Sequence, residues 1–221
     1  MSVHTPEDLR RIYQTRFSGQ AEYRRAVWKV LIDLYFQRYV GPTEVVLDLG
    51  CGYGEFINQI RCGARFAMDL NPDAPEQLAS EVKCIVQDCS TRWPLADNSL
   101  DLVFTSNFFE HLPDKATLGR TLDEIHRCLK PAGRLLAMGP NIKYLPGTYW
   151  DFWDHYLPLT ELALKEATEN RGFIVEECVS KFLPYSMATG PRYPLLLLRL
   201  YLRLPFVWRI FGKQFLVVCR K

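Results

Sequence analysis

From Val45 to Phe56 the chain reads Val-Val-Leu-Asp-Leu-Gly-Cys-Gly-Tyr-Gly-Glu-Phe: an apolar run, a glycine turn and a helix start. Gly50, Gly52 and Gly54 let backbone approach a ligand where a side chain would block it. A dinucleotide loop of the G-x-G-x-x-G kind would put its third glycine at position 55. That position is Glu55, the third glycine is Gly54, and Asp48 stands just before the turn. A carboxylate there repels a pyrophosphate and suits a ligand with positive charge, such as one bearing an ammonium and a sulfonium. Asp69 follows Gly50 by about twenty residues, the interval at which an acid accepts hydrogen bonds from ribose hydroxyls. Asp88 comes after a similar interval and suits an adenine amino group. Each acid alone reads as a solvated strand-end residue. Together they stand at three successive strand ends, on the edge of the sheet where ligands bind.

Short apolar runs bounded by Gly, Pro, Asn or Asp carry these residues. Val45–Leu49, Arg65–Leu70, Lys83–Gln87, Leu102–Thr105 and Arg134–Gly139 read as strands. Helical patterns lie between them, most clearly from Lys115 to Leu129. Such alternation implies right-handed crossovers and a parallel sheet covered on both faces. Thr5-Pro6-Glu7-Asp8 has the form of a helix start. A second helix is expected from Ala21 to Val40, with Val27, Val30, Leu31, Leu34 and Tyr35 as its apolar stripe and Gly41-Pro42 as its stop. After a helix from Thr160 to Asn170, strands at Phe173–Val179 and Gln214–Arg220 have no crossover helix between them, which predicts an antiparallel pair at the sheet edge.

The 221 residues are 48% hydrophobic and 24% charged, with a formal net charge of +2. Those values exclude disorder and are enough for a full core without staples. The charge gives no bulk field for a phosphate backbone, so nucleic acid is not expected as a partner. Cys51, Cys62, Cys84, Cys89, Cys128, Cys178 and Cys219 are odd in number and lack Cys-x-x-Cys spacing, so they read as small apolar residues of a reducing, cytoplasmic compartment. The polar N-terminus shows no secretory pattern.

Three stretches in order resemble the class I S-adenosylmethionine-dependent methyltransferases. Asp48 to Gly54 resembles the first motif, and Trp93 to Val103 the approach to the fourth strand. Leu129 to Leu136 resembles the turn before the fifth, with Ala132 where glycine is usual. The resemblance implies a single α/β domain over 1–221. Its Rossmann-like sheet has seven mostly parallel strands in the order 3-2-1-4-5-7-6, the last antiparallel, with helices on both faces. By position alone, residues 1–41 would form a helical lid, with Tyr13, Arg16 and Tyr23 facing the cofactor, and 42–221 the core. S-adenosylmethionine is the cofactor implied, and S-adenosylhomocysteine the product. Asp48, Gly50, Cys51, Gly52 and Gly54 would hold the methionine part. Asp69 and Leu70 would hold the ribose, Asp88 and Cys89 the adenine. Asn107 reads either as a ligand near the methionine end or as a turn residue.

On the acceptor side, Glu110, His111 and His155 are the candidate acid–base residues. Methyl transfer is an in-line displacement in which the protein positions the nucleophile, and a hydroxyl acceptor gains from a base. Glu110-His111 resembles part of a Glu-x-x-Glu-His metal element of some quinone and RNA methyltransferases, but Asn107 replaces its first Glu. No metal is therefore assigned. A metal at Glu110, His111 and His155, acting on a quinone-like or RNA-terminal hydroxyl, is the alternative, and a structural role for His111 stays open.

Tyr144 to Tyr156 is dense in aromatics, with Tyr144, Trp150 and Trp153 as the acceptor wall for a sugar, ring or lipid-linked head group. Residues 191–212 join Leu195 to Leu198 with Phe206, Trp208 and Phe211 around Arg192, Arg199, Arg203 and Arg209, without one acid. This insertion reads as a helical pair in the core, a dimer seam, or a peripheral contact at the inner membrane face. The expected protein is a monomer or homodimer that O-methylates a small-molecule, glycan or lipid-linked acceptor, similar to small bacterial enzymes of polysaccharide or secondary metabolism. An inactive cofactor-binding adaptor is the second alternative.

Overall fold

The computed structural model describes residues 7, 8, 11, 21–185 and 192–221. Seven strands form one sheet: β1 (Val45–Leu49), β2 (Ala64–Asp69), β3 (Val82–Val86), β4 (Leu100–Ser106), β5 (Leu129–Pro140), β6 (Ile174–Val179) and β7 (Gln214–Arg220). Their order is β3-β2-β1-β4-β5-β7-β6. Pairing is parallel from β3 through β5, whereas β7 runs antiparallel to both β5 and β6. The fold class and strand order expected from the sequence are those of the molecule.

Helices cover both faces. On one side α1 (Ala21–Leu34) lays Val27, Trp28 and Leu31 on the sheet, where Phe56 and Phe104 stack at 3.8 Å between ring centroids. On the other, α2 (Lys115–Cys128) and α3 (Glu161–Glu169) bury Leu122, Ile125 and Leu164. Both start on side-chain caps: Asp114 accepts from the Thr117 N–H and Thr160 from the Ala163 N–H. The insertion forms α4 (Leu195–Arg203) and α5 (Pro205–Phe211), with Pro205 opening the second helix as its first residue.

Three local expectations differ. The helix expected to reach Val40 ends at Leu34 and continues as a 3-10 turn, Phe36–Tyr39; Leu34 is 40% exposed and Trp28 takes its place in the buried stripe. The helix expected after the glycine loop is a single turn, closed by Asn58 N–H to Gly54 and Ile60 N–H to Phe56, before Cys62-Gly63 ends it. β5 starts at Leu129 rather than Arg134, because Leu129 pairs with Leu100 across a register shift. Ala132, where glycine is usual, adopts φ 67 within that strand. Glu7 and Asp8 are helical as expected, but Thr5, Pro6, Tyr13 and Arg16 lie outside the described residues.

Candidate active site

Strand order reverses between β1 and β4, and ligands of such sheets bind beyond the carboxyl ends of the strands there. Asp48, near the end of β1, is buried. Burial, then the charges of Glu55 and Asp69, holds its pKa well above the carboxylate range against the Ile57 N–H. A cation beside it would reverse that balance. The Gly50 and Cys51 N–H groups donate to the Met68 carbonyl at 2.8 and 3.2 Å, which hangs the loop on β2. Gly50 has φ +70, and a Cβ there would run into the Phe108 ring; at Gly54, φ +72, it would lie 2.5 Å from Leu78. Only glycine meets both demands. Cys51 turns its thiol into the core, where burial pushes its pKa up.

Asp69 accepts from the Gly52 N–H and the Asn71 N–H, each at 2.9 Å. It therefore shapes the loop as well as the edge, and an ionised carboxylate retains lone pairs for further donors. Leu70 is half-buried beyond it. Asp88 caps its own turn, accepting from Ser90 N–H and Oγ at 2.9 and 2.8 Å. The Cys89 side chain lies in the core, 3.3 Å from Thr121 Oγ1, so its backbone rather than its thiol is available to the edge. Asn107 follows β4 with φ 51. Its N–H donates to Met138 O and its Nδ2 to Ser106 Oγ, while its buried Oδ1 has no hydrogen-bond partner among the described residues. It is both a left-handed turn residue and a spare buried acceptor. An acid with a raised pKa, a spare acceptor and an open glycine loop fit a cationic nucleoside such as S-adenosylmethionine.

Arg24 and Glu55 escaped the sequence reading. Arg24 Nε donates to Glu55 Oε1 at 2.7 Å, and its guanidinium lies 5.6 Å from the Tyr53 ring centroid, both in the glycine loop. The signal was available: Arg24 shares the helix face of Val27 and Leu31, so a cation sits on an otherwise apolar stripe. Tyr23, expected to face the cofactor, instead exchanges hydrogen bonds with the Tyr193 backbone.

The acid–base candidates converge past β4. Glu110 and His111 form the 3-10 turn Phe109–His111, and the Tyr156 and Leu157 N–H groups donate to the Glu110 carbonyl at 2.8 and 3.0 Å. This ties the turn to the loop that carries His155. His111 Nδ1 lies 2.8 Å from the Asp154 carbonyl and 3.2 Å from the Asp154 carboxylate. Donation from Nδ1 leaves Nε2 as the basic nitrogen. Burial works against charge on His111, but Asp154 and Glu110 outweigh it and raise its pKa. Burial pushes the Glu110 carboxyl up to about 7, against the pull of His111. The His111 and His155 rings meet edge-on at 5.0 Å, and one ligand atom from each of Glu110, His111 and His155 lies within 4.8 Å of the others.

The aromatic loop is organised differently from its composition. Phe152 stacks on His155 at 4.9 Å and Tyr149 lies at 4.7 Å, its hydroxyl bound to the Leu157 carbonyl. Trp150 packs edge-on against Tyr149, whereas Trp153 is 87% exposed. Tyr144 lies beneath the Lys181 ammonium at 4.4 Å. The rings against His155 are thus Phe152 and Tyr149, rather than Tyr144, Trp150 or Trp153.

Residues 47–137 match the family model described as a methyltransferase domain. A probable S-adenosylmethionine-dependent methyltransferase of Mycolicibacterium smegmatis is 32% identical over 145 residues, 62% of this chain and 54% of that protein. A malonyl-[acyl-carrier protein] O-methyltransferase of Coxiella burnetii is 33% identical over 122 residues, 53% of this chain and 42% of that protein. The chain thus spans about half the length of the curated relatives it matches. A crystal structure of a SAM-dependent methyltransferase from Archaeoglobus fulgidus superposes with a TM-score of 0.68 at 21% identity, covering 97% of this chain and all of the other, a likeness of fold. With the glycine loop, the strand-end acids and the sheet order in place, residues 47–137 are similar to the methyltransferase domain family, and the whole chain shares the fold of an S-adenosylmethionine-dependent methyltransferase.

Proposed function

We propose that this protein transfers a methyl group from S-adenosylmethionine to a hydroxyl oxygen of a small-molecule, glycan or lipid-linked acceptor. The observation that carries the reading is His111, anchored through Nδ1 by Asp154 beside the buried Glu110 at the carboxyl end of the sheet. When bound, S-adenosylmethionine supplies a methyl group on a positively charged sulfur. Asp48 and Asn107 Oδ1 would accept from its ammonium, Asp69 from the ribose hydroxyls, and the backbone of Gly50 to Gly54 would border the methionine chain. His111 Nε2 would take the proton of the acceptor hydroxyl as its oxygen bonds to the methyl carbon, while the carbon–sulfur bond breaks with its electron pair left on sulfur, giving the neutral thioether S-adenosylhomocysteine. The Asp154 carboxylate stabilises the imidazolium so formed, and Phe152 and Tyr149 exclude water from that side. The O-methyltransferase among the relatives supports the choice of oxygen.

Calorimetric titration with S-adenosylhomocysteine tests the cofactor; absence of binding at millimolar ligand overturns the reading. Transfer of labelled methyl from the cofactor into a fractionated cell lysate then identifies the acceptor, and NMR of the purified product that places the methyl on oxygen supports the reading, whereas a methyl on nitrogen or carbon overturns it.

The convergence of Glu110, His111 and His155 favours one second reading, a divalent cation held by those ligand atoms. Its assay is the labelled transfer after chelation. Restoration by manganese or magnesium, lost in His155→Ala, favours the metal; a rate indifferent to chelator favours the histidine base.

A further inference from the structure

The insertion presents a second apolar face that the fold does not use. Leu195, Leu198, Tyr201 and Leu202 turn inward against α1 and the sheet, as does Trp208 of α5. On the opposite side Leu196, Leu197 and Leu200 are 64, 52 and 45% exposed, and Phe206, Ile210 and Phe211 are 64, 67 and 58% exposed. At about 100° per residue, Leu196, Leu197 and Leu200 share one sector of α4, and Arg199 and Arg203 flank it. Half-buried and exposed apolar residues thus encircle the helix, interrupted by arginine. Soluble surfaces rarely keep so many large apolar side chains together without a use.

The charge around this face is one-sided. After Glu177 the chain carries no Asp or Glu to its end, while Lys181, Arg192, Arg199, Arg203, Arg209 and Lys213 surround the two helices. Asp33, at the neighbouring groove between α1 and α4, is already paired with Lys29 and Arg61. A two-fold contact between copies of the chain would set the same arginines against each other, because such an interface matches a patch with itself. An anionic lipid surface satisfies both halves of the pattern: leucine and phenylalanine enter the acyl boundary, and arginines reach the head groups. No helix of the described residues is long and apolar enough to cross a membrane, so the contact is peripheral.

The position adds a third argument. The insertion leaves from the end of β6 and returns at the start of β7, where Gln214 pairs with Pro140 at the carboxyl end of β5. Both of its roots therefore stand on the sheet edge that carries His111 and His155. Tyr185, on the outgoing root, meets Phe152 at 6.0 Å.

We infer that α4 and α5 dock the protein on an anionic lipid surface, through Leu197, Phe206 and their neighbours and through Arg199 and Arg203. This turns the catalytic edge toward the bilayer. The inference deepens the lipid-linked option of the proposed acceptor, but its test does not depend on methyl transfer.

The experiment is co-sedimentation of the full chain with phosphatidylcholine vesicles, with and without phosphatidylglycerol. Wild type is expected to bind the anionic vesicles on the order of tenfold better. The Leu197→Glu/Phe206→Glu variant should lose binding to both vesicles. Arg199→Glu/Arg203→Glu should lose the anionic preference. All four positions are exposed, so melting temperature and S-adenosylhomocysteine affinity should stay at wild-type values in both variants; wild type that binds the cofactor but fails to sediment overturns the docking inference alone. Wild type left in the supernatant with every vesicle overturns it, as does a Leu197→Glu/Phe206→Glu variant that binds normally. A lipid-free dimer that this variant dissolves reassigns the face to a subunit seam and also overturns it.

Discussion

His111 and Asp154 are joined twice, through the backbone carbonyl and through the carboxylate of the same aspartate, at 2.8 and 3.2 Å from one ring nitrogen. The carbonyl fixes the tautomer by hydrogen bonding, and the carboxylate adds charge. Asp154→Asn keeps the first and removes the second. Methyl transfer should then fall about tenfold or more, and the pH at which activity is half-maximal should move down as the imidazole loses its anion. His111→Ala should cost about a hundredfold or more in kcat with S-adenosylhomocysteine affinity unchanged. Initial rates across pH, with calorimetry on both variants, check the pair.

Glu110 predicts a pH-dependent stability. Its folded pKa of about 7 lies above the usual 4.5, so the folded state binds the extra proton between those values. The stability it contributes is full below pH 4.5 and is lost as pH rises to 7. Glu110→Gln mimics the protonated form, so relative to wild type it should gain stability across that range, by roughly 2–3 kcal/mol. Urea unfolding at pH 5 and pH 8 measures the difference.

Gly50→Ala combines a left-handed φ with a clash against the Phe108 ring. We expect a loss of roughly 2–4 kcal/mol, together with loss of cofactor binding. Gly147→Ala, where nothing lies within 4 Å of the new methyl, is the matched control and should leave both unchanged. Thermal melts with and without S-adenosylhomocysteine report both effects.

Arg24→Ala should destabilise by about 1–3 kcal/mol, since it leaves the Glu55 carboxylate largely buried without its guanidinium. The loop it braces is the one proposed to hold the cofactor, so S-adenosylhomocysteine affinity should fall, and Arg24→Lys should recover part of it. Calorimetry on the two variants separates charge from fork geometry.

The sheet was legible because each strand is a short apolar run between turn residues, and a parallel strand buried on both faces needs no more than that. β1 and β7 match their sequence boundaries to the residue, Val45–Leu49 and Gln214–Arg220. Length was harder to read at β5, where Lys130 and Pro131 look like a turn yet lie within the strand, in the irregular stretch between the Leu100–Leu129 and Leu102–Arg134 pairs. The glycine loop and Asp69 were legible by spacing, and the structure joins them through the Gly52 N–H. Glu110 and His155 were readable as candidates, but their approach depends on Tyr156 and Leu157 bonding to the Glu110 carbonyl, a long-range backbone contact with no local pattern. The arrangement of the aromatic loop was hidden for a related reason. Composition found the loop, but only the turn through Gly147 to Asp151 decides that Phe152 faces His155 and Trp153 faces water.

The insertion between β6 and β7 is closed at its base. The Phe182 N–H donates to the Gln214 carbonyl, and the Lys213 and Gln214 N–H groups donate back to Leu183. With that clasp shut, the number of residues in the excursion is independent of the register of the last two strands. Lengthening or shortening it costs only slowly growing loop entropy. The excursion is thereby a modular element: its exposed face can be redesigned while the strands at its roots, and the glycine loop further along the same sheet edge, stay fixed.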